Sequence, residues 1–213
     1  MRVRVRMITT MVEVIIRTLH ISLIKQNRFF VECYVDPIRK NKAEKFINEK
    51  DQLLSLGAGY LMKKYLPKGD IQISSSGKPF SFNGPFFNIS HSGEYVVFAS
   101  HQSRDVGIDI ERIDENKLDG IRYVLDQEEE KVSDITTLFQ IWSNKESTAK
   151  CISTGIKDIK AIKGLPLEGL RNIEENDYYT KSTIYDGYSL SITLKGNEPF
   201  IVKIEPLHSL EEQ

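Results

Sequence analysis

The sequence predicts an α+β fold in which most strands are antiparallel. Three observations support this class: several short segments alternate in polarity, two longer segments carry apolar residues at helical spacing, and turn-rich stretches separate the strand-like segments. No sequence repeat and no low-complexity segment stands out. The 213 residues suffice for one large domain or for two small ones of about 100 residues each.

The first half of the chain predicts a strand, a helical region and a pair of strands. Val12, Val14 and Ile16 alternate with other residues and predict the first strand. The helical region is predicted from the spacing of five apolar residues before Gly69: Leu53, Leu56, Tyr60, Leu61 and Tyr65. Residues 86–90 and 95–100 then form two strand-like segments joined by a Gly-containing turn.

The second half begins with VGIDIERI, residues 106–113, in which apolar and other residues alternate as in a strand. Asp126 and Glu129 have the spacing of a capping box and predict the start of a helix. A longer helix is predicted for TTLFQIWSNKESTAKCIST and ends near Gly155. Beyond Lys160, strand-like segments such as YSLSITL and FIVKIEP alternate with turns.

Composition and charge disfavour several classes of protein. A formal net charge of -1 does not suggest a nucleic-acid binder. Cys33 and Cys151 are too few for a disulfide scaffold, give no metal-ligand spacing and suit a reducing cytoplasm. No segment reaches the roughly 20 apolar residues of a membrane span. Glu13, Arg17 and His20 interrupt the start of the chain, so we do not expect a signal peptide there.

Two carboxylates stand two residues apart on the predicted strand 106–113. Asp109 and Glu111 share a face with Gly107, and carboxylates at this spacing sit roughly 7 Å apart, within reach of one cation. For an isolated Asp-x-Glu, the commoner interpretation is a strand face that is exposed to solvent. The spacing alone leaves both interpretations open.

The longer predicted helix carries a second group of charges. Phe139, Trp142, Glu146, Ala149 and Lys150 share one broad face at the helical period. A Glu–Lys pair at this spacing can be an exposed surface pair that contributes only a few tenths of a kcal/mol. A semi-buried functional pair fits the pattern equally well, because charges beside a buried aromatic side chain need partners.

Two further stretches are candidates for phosphate binding. Gly77-Lys78-Pro79 offers backbone amides, a mobile charge and a stiff exit, although an ordinary turn has the same composition. His91 lies at a strand-to-turn junction, where a histidine is usually structural or solvated but can also bind phosphate.

Taken in order, GKPF, FNISHS, VGIDIE and W-x-x-KES-x-x-K resemble the signature of 4′-phosphopantetheinyl transferases of the larger, two-subdomain type. The resemblance implies two similar α+β subdomains related by a pseudo-twofold axis, with the active site in the cleft between them. Residues 1–102 would contact the nucleotide of coenzyme A, and residues 103–213 would carry the metal and catalytic residues. A cytoplasmic monomer that binds neither nucleic acid nor membranes is expected.

The resemblance also implies a reaction: Mg²⁺-dependent transfer of the phosphopantetheine arm of coenzyme A to a serine of an apo-acyl or peptidyl carrier protein. Such carrier proteins serve fatty-acid, polyketide and nonribosomal-peptide synthesis. Mg²⁺ would be held by Asp109, Glu111 and Glu146, and Gly107 would leave room for it beside the two strand carboxylates. Glu146 would also take the serine proton, either directly or through a metal-bound water, and Lys150 would neutralise the charge on the leaving phosphate or protonate it. Coenzyme A would contact nine residues: Arg39, Lys42, Gly77, Lys78, Pro79, Ser90, His91, Asp109 and Lys150.

The chain departs from this signature at two places. Leu54 stands where the family commonly has an arginine, which would weaken binding of the 3′-phosphate unless Arg39, Lys42 or Lys45 compensates. The usual glycine-rich stretch after the catalytic helix is reduced to residues 154–156. Two other functions stay open: a metal-dependent phosphoesterase, which the four histidines disfavour because none is paired at ligand spacing, and a non-enzymatic module that binds coenzyme A or a carrier protein.

Overall fold

The structure, a computed structural model, describes residues 11–67, 71–73, 79–153 and 156–210. Its strands are β1 Val12–His20, β2 Ile71–Ile73, β3 Pro79–Ser81, β4 Phe86–Ser92, β5 Tyr95–His101, β6 Val106–Arg112, β7 Glu168–Ile173, β8 Asn176–Tyr185, β9 Tyr188–Lys195 and β10 Phe200–Pro206. Its α-helices are α1 Ile21–Gln26, α2 Arg28–Tyr34, α3 Pro37–Glu44, α4 Glu49–Tyr65, α5 Leu118–Arg122 and α6 Ile135–Ile152.

The strands form two four-stranded sheets and a small pair of strands. The first sheet has the order β10-β1-β5-β4, and the second has the order β6-β9-β8-β7, while β2 pairs with β3. Every pairing is antiparallel except that of β1 with β10, which run parallel. The predicted α+β class with mainly antiparallel strands is therefore confirmed, and the pseudo-twofold relation stays a prediction.

Alternating side chains stack the sheets and helices in layers. Odd-numbered residues of β1, such as Leu19, face the helices α1–α4, and even-numbered residues, such as Val14 and Ile16, face the second sheet. Ile108 and Ile110 of β6 lie in that second core. The other face of the second sheet is covered by α6, whose residues bond to β8 and β9. The carboxylates of β6 therefore face α6.

The two long predicted helices agree with α4 and α6, but the helix predicted at Asp126 is wrong. The capping-box bonds do form, because Asp126 N donates to Glu129 Oε2 at 2.8 Å and Glu129 N donates to Asp126 Oδ1 at 2.9 Å. They enclose only a 3₁₀ turn at Glu129–Lys131. Glu129 is drawn into the interior, where it pairs with Lys145, and Val132 is already extended.

β10, the last described strand, pairs with β1, the first one. β10 pairs with β1 along seven residues, so it belongs to the first sheet by hydrogen bonding, although the predicted division placed it in the second half. The division into residues 1–102 and 103–213 stays a proposal, and this strand crosses it. None of the helices in the described ranges has the length and apolar content that a membrane crossing requires.

Candidate active site

The edges of the two sheets meet where β4 lies beside β6. Asn88, Ser90 and Ser92 alternate along β4 and point towards β6. Ile108 N donates to Asn88 Oδ1, and Arg112 N donates to Ser92 Oγ, each at 3.1 Å. These bonds occupy backbone amides on the outer edge of β6, which would otherwise lack partners. The short polar residues of β4 thus fix the position of β6 and its carboxylates.

Asp109 is the most buried carboxylate of this junction, with only 2% of its surface exposed. Its Oδ1 accepts hydrogen bonds from Lys150 Nζ at 2.6 Å and from Ser90 Oγ at 2.8 Å. Its Oδ2 is buried and has no hydrogen-bond partner within the described part of the chain. Burial raises the pKa of Asp109 to about 7, with Lys150 opposing the rise and Glu111 adding to it. The interpretation of Asp109 as a solvent-facing residue is therefore wrong.

Glu146 and Lys150 come from α6 and reach the same junction. Lys150 Nζ lies 3.9 Å from Glu146 Oε2 and donates to Ser90 Oγ at 3.1 Å. The side chain of Glu146 is 11% exposed and that of Lys150 is 30% exposed. The interpretation as an exposed surface pair is therefore wrong, and the expected semi-buried pair is confirmed.

The electrostatics of this pair follow from burial and from neighbouring charges. Burial raises the pKa of Glu146, and Glu111 adds to the rise while Lys150 opposes it. Burial alone would lower the pKa of Lys150, but the carboxylates of Asp109, Glu146 and Glu111 outweigh it and raise that pKa. Lys150 is therefore held as an ammonium between three acidic side chains.

Glu111 lies two residues beyond Asp109 and is only half-buried. Its Oε2 accepts from Ser92 Oγ at 2.9 Å and from Lys117 Nζ at 3.2 Å. Across the described ranges, no three His, Cys, Asp or Glu side chains stand close enough together to form a metal site. Asp109 and Glu146 instead lie within 4 Å of Lys150, and Glu111 acts on Lys150 through its charge. Their carboxylate oxygens are still the donor type that Mg²⁺ prefers, and the buried Asp109 Oδ2 has no hydrogen-bond partner among the described residues.

Gly107 has a different role from the one that its place beside the carboxylates suggested. A Cβ at this position would collide with the carbonyl oxygen of Ser147 and would lie 2.5 Å from Cys151 N, both in the backbone of α6. The absence of a side chain therefore allows α6 to pack directly on β6, rather than making room for a cation. This close approach brings Glu146 and Lys150 to the carboxylates.

Three of the other predicted contacts lie on α3 and at the start of β3. Arg39 is half-buried on α3, where Nη2 lies 3.9 Å from Met62 Sδ, and burial lowers its pKa. Lys42 is exposed on the same helix. Pro79 begins β3, whereas Gly77 and Lys78 lie outside the described residues, as do Gly69, Thr154 and Gly155. Leu54 is buried in the core between α4 and the first sheet, so its side chain does not face solvent.

His91 is exposed on β4, next to the buried Ser90 and Ser92. Partial desolvation by the surrounding protein lowers its pKa, and the charge of Lys150 lowers it further, while Asp51 and Glu111 oppose this. The pKa of His91 thus depends on the charges of Lys150 and Glu111. Ser90 contacts Lys150 and Asp109 directly.

Two groups of residues that position the elements of this site were not predicted from the sequence. The first is Asn88 and Ser92, which the alternation in NISHS could have placed beside Ser90. The second is a fully buried ion pair in which Lys145 Nζ lies 2.8 Å from Glu129 Oε2. Gly164 N also donates to Glu129 Oε1 at 2.6 Å. This pair connects the segment before β7 to α6, the helix that carries Glu146. No local sequence pattern indicates it.

Comparison with known proteins supports a family assignment for the part of the chain that carries the carboxylates. Residues 105–193 match the family model of the 4′-phosphopantetheinyl transferase superfamily. The chain is 33% identical over 142 residues to 4′-phosphopantetheinyl transferase gsp of Aneurinibacillus migulanus, covering 60% of each chain. It is 28% identical over 149 residues to 4′-phosphopantetheinyl transferase Sfp of Bacillus subtilis (strain 168), covering 62% of this chain and 66% of the relative.

Both matches span less than two thirds of the relatives' own lengths. The family model covers Asp109, Glu111, Glu146 and Lys150, whereas Ser90 and His91 precede it. The resemblance to 4′-phosphopantetheinyl transferases is confirmed for residues 105–193, and the two-subdomain type stays a prediction.

Proposed function

We propose that the chain modifies carrier proteins, because residues 105–193 match the family model of the 4′-phosphopantetheinyl transferase superfamily. It transfers the phosphopantetheine arm of coenzyme A to a serine of an apo-acyl or peptidyl carrier protein. The products are the holo-carrier protein and adenosine 3′,5′-bisphosphate. The observation that carries the proposal is the contact of Lys150 with the buried Asp109 and with Ser90, which joins charged residues of α6 to both sheets.

Asp109, Glu111 and Glu146 would hold Mg²⁺. Their oxygen donors suit this ion, and the unpartnered Oδ2 of Asp109 supports a further positive partner at the site. When bound, Mg²⁺ would neutralise negative charge on the diphosphate of coenzyme A.

The side chains of α6 supply the proton transfer and the positive charge that the reaction needs. The serine oxygen of the carrier protein attacks the phosphorus next to the pantetheine arm, and the bond from that phosphorus to the bridging oxygen breaks. Glu146 accepts the serine proton, which the raised pKa of its carboxylate favours. The bridging oxygen leaves with the nucleotide. Lys150, whose raised pKa keeps it charged, stabilises the negative charge that develops there.

The nucleotide of coenzyme A would lie along the first sheet and its helices. Ser90 and His91 would contact its phosphates, Gly77, Lys78 and Pro79 would lie near the nucleotide, and Arg39 and Lys42 would contact the 3′-phosphate. The buried Leu54 leaves this last task to the basic residues of α3. We also retain the two-subdomain division, the monomer and the cytoplasmic location as parts of this proposal.

Mass spectrometry of a carrier protein tests the proposal. The chain is incubated with coenzyme A, Mg²⁺ and an apo-acyl carrier protein, with a carrier whose acceptor serine is replaced by alanine as the control. We expect a mass gain of one phosphopantetheine arm in the first carrier only. Release of phosphate without a mass gain would favour a phosphoesterase, and binding of coenzyme A without transfer would favour a non-enzymatic module.

A further inference from the structure

The interface between α6 and the second sheet is built from hydroxyl groups rather than from apolar side chains. Seven of its Ser and Thr residues are fully buried: Ser143, Ser147 and Thr148 of α6, Thr180 of β8, and Ser189, Ser191 and Thr193 of β9. They bond to one another across the interface, and Thr193 Oγ1 alone lies 3.0–3.1 Å from hydroxyls of Ser147, Thr148 and Thr180. Directional bonds therefore fix this helix on its sheet, in addition to close packing.

One hydroxyl in this interface is placed opposite the two strand carboxylates. Ser143 Oγ lies 2.6 Å from Ser189 Oγ and 2.7 Å from Ser191 Oγ. In the pairing of β6 with β9, Ser189 is the partner of Glu111 and Ser191 is the partner of Asp109. Ser143 is thus bonded to the two residues of β9 that lie directly beside the carboxylates.

Ser143 lies on the same face of α6 as Glu146 and Lys150. Ser143 precedes Glu146 by three residues and Lys150 by seven, which are the spacings of one helix face. Gly107 offers no side chain to lock α6 against β6, because the two backbones touch there. The bonds of α6 to β9 therefore help to set its rotation and axial position relative to β6, together with the bond of Lys150 to Asp109.

We propose that Ser143 is a positioning residue, which sets α6 so that Glu146 and Lys150 stand opposite Asp109 and Glu111. This inference rests on the proposed transferase function. Ser143 does not itself touch a substrate in this account, and it acts through the two charged side chains of its helix.

The chain offers a matched control in Ser182. Its Oγ bonds to Ser191 Oγ at 2.6 Å, and its backbone N donates to Leu167 O, so its described hydrogen bonds do not reach α6. Ser143→Ala and Ser182→Ala each remove one hydroxyl from the same network. Only Ser143→Ala also removes bonds between α6 and β9, namely those to Ser189 and Ser191.

Two readouts separate positioning from general stability. The first is steady-state transfer to an apo-acyl carrier protein, and the second is the affinity for Mn²⁺ in the presence of coenzyme A, measured from the electron paramagnetic resonance signal of free Mn²⁺. Loss of a group that orients metal-binding residues typically lowers metal affinity or activity by about 10-fold to 100-fold. We expect Ser143→Ala to lower kcat and Mn²⁺ affinity by at least about tenfold, with an unchanged KM for coenzyme A, and Ser182→Ala to match the wild type.

Wild-type kcat and Mn²⁺ affinity in Ser143→Ala would overturn the inference, and so would equal losses in Ser143→Ala and Ser182→Ala. If Ser143→Ala does not fold, Ser189→Ala replaces it, because this change removes one of the two bonds of Ser143. Unfolding of that variant as well would show that the hydroxyl serves the fold alone. A wild-type chain that transfers nothing would refute the proposed function, and the Mn²⁺ comparison would then decide the inference by itself. If the wild-type chain neither transfers the arm nor binds Mn²⁺, both the proposed function and the inference are refuted.

Discussion

Replacement of Asp109 by asparagine is expected to change how the stability of the protein depends on pH. Burial raises the pKa of this carboxyl from 3.8 to about 7. Between these pH values the folded protein holds a proton on Asp109 that the unfolded chain has already lost. The contribution of Asp109 to the free energy of unfolding therefore falls as the pH rises from about 4 to about 7. Asparagine cannot titrate, so Asp109→Asn removes this fall.

The magnitude follows from the size of the pKa change. The difference is about three pKa units, and each unit corresponds to about 1.4 kcal/mol, which gives about 4 kcal/mol. No large correction for solvent screening applies, because Asp109 is only 2% exposed. Relative to the wild type, Asp109→Asn should therefore gain about 4 kcal/mol of stability between pH 4 and pH 8.

Urea unfolding at several pH values between 4 and 8 measures this difference, with a chelator present to exclude divalent cations. Asp119→Asn is the matched control, because it makes the same chemical change at an exposed carboxylate on α5. A constant difference for Asp109→Asn would refute the reasoning. A difference of the opposite sign would show that Lys150 outweighs burial at this carboxyl.

Three further results are expected from the same structure. Gly107→Ala should destabilise the protein by about 3 kcal/mol in urea unfolding, because the added Cβ meets the backbone of α6. Gly120→Ala, where the space around the Cβ is open, should cost little, and equal effects of the two changes would contradict the close packing. Lys145→Met should cost about 3–5 kcal/mol because it leaves the buried charge of Glu129 without Lys145 as its partner. Adding Glu129→Met should cost less than the sum of the two single changes, and strictly additive losses would contradict the pairing. His91→Ala should raise the KM for coenzyme A with little change in kcat, and the reverse in steady-state kinetics would assign it to the chemical step.

The elements that the sequence predicted well are those with a strong local period. Residues 106–113 alternate because one face of β6 packs on the first sheet, and the apolar spacing of α4 reflects burial against the same sheet. The pairing of β10 with β1 was not predictable, because it joins residues almost 200 positions apart and leaves no local signal. The capping box at Asp126 correctly indicated a helical turn, but tertiary contacts ended the helix after that one turn.

The candidate site was predictable in its residues but not in its geometry. The order of four short motifs indicated Asp109, Glu111, Glu146 and Lys150 together, which spacing within any single motif could not do. The sequence could not show that Lys150 lies against Asp109, because this contact depends on how closely α6 approaches β6. This approach depends on Gly107 and on the hydroxyls of the α6 interface, whose contacts join distant parts of the chain and so leave no local sequence pattern.

The most direct test of the account is single-turnover transfer to an apo-acyl carrier protein at saturating coenzyme A with Mg²⁺. The account predicts transfer by the wild type and a loss on the order of 100-fold or more in Lys150→Met, which removes the positive charge at the leaving oxygen. Glu146→Gln should be slower still, because it removes a metal ligand and the proton acceptor together. Thermal melts of each variant exclude unfolding as the cause. Wild-type rates in both variants would contradict the account.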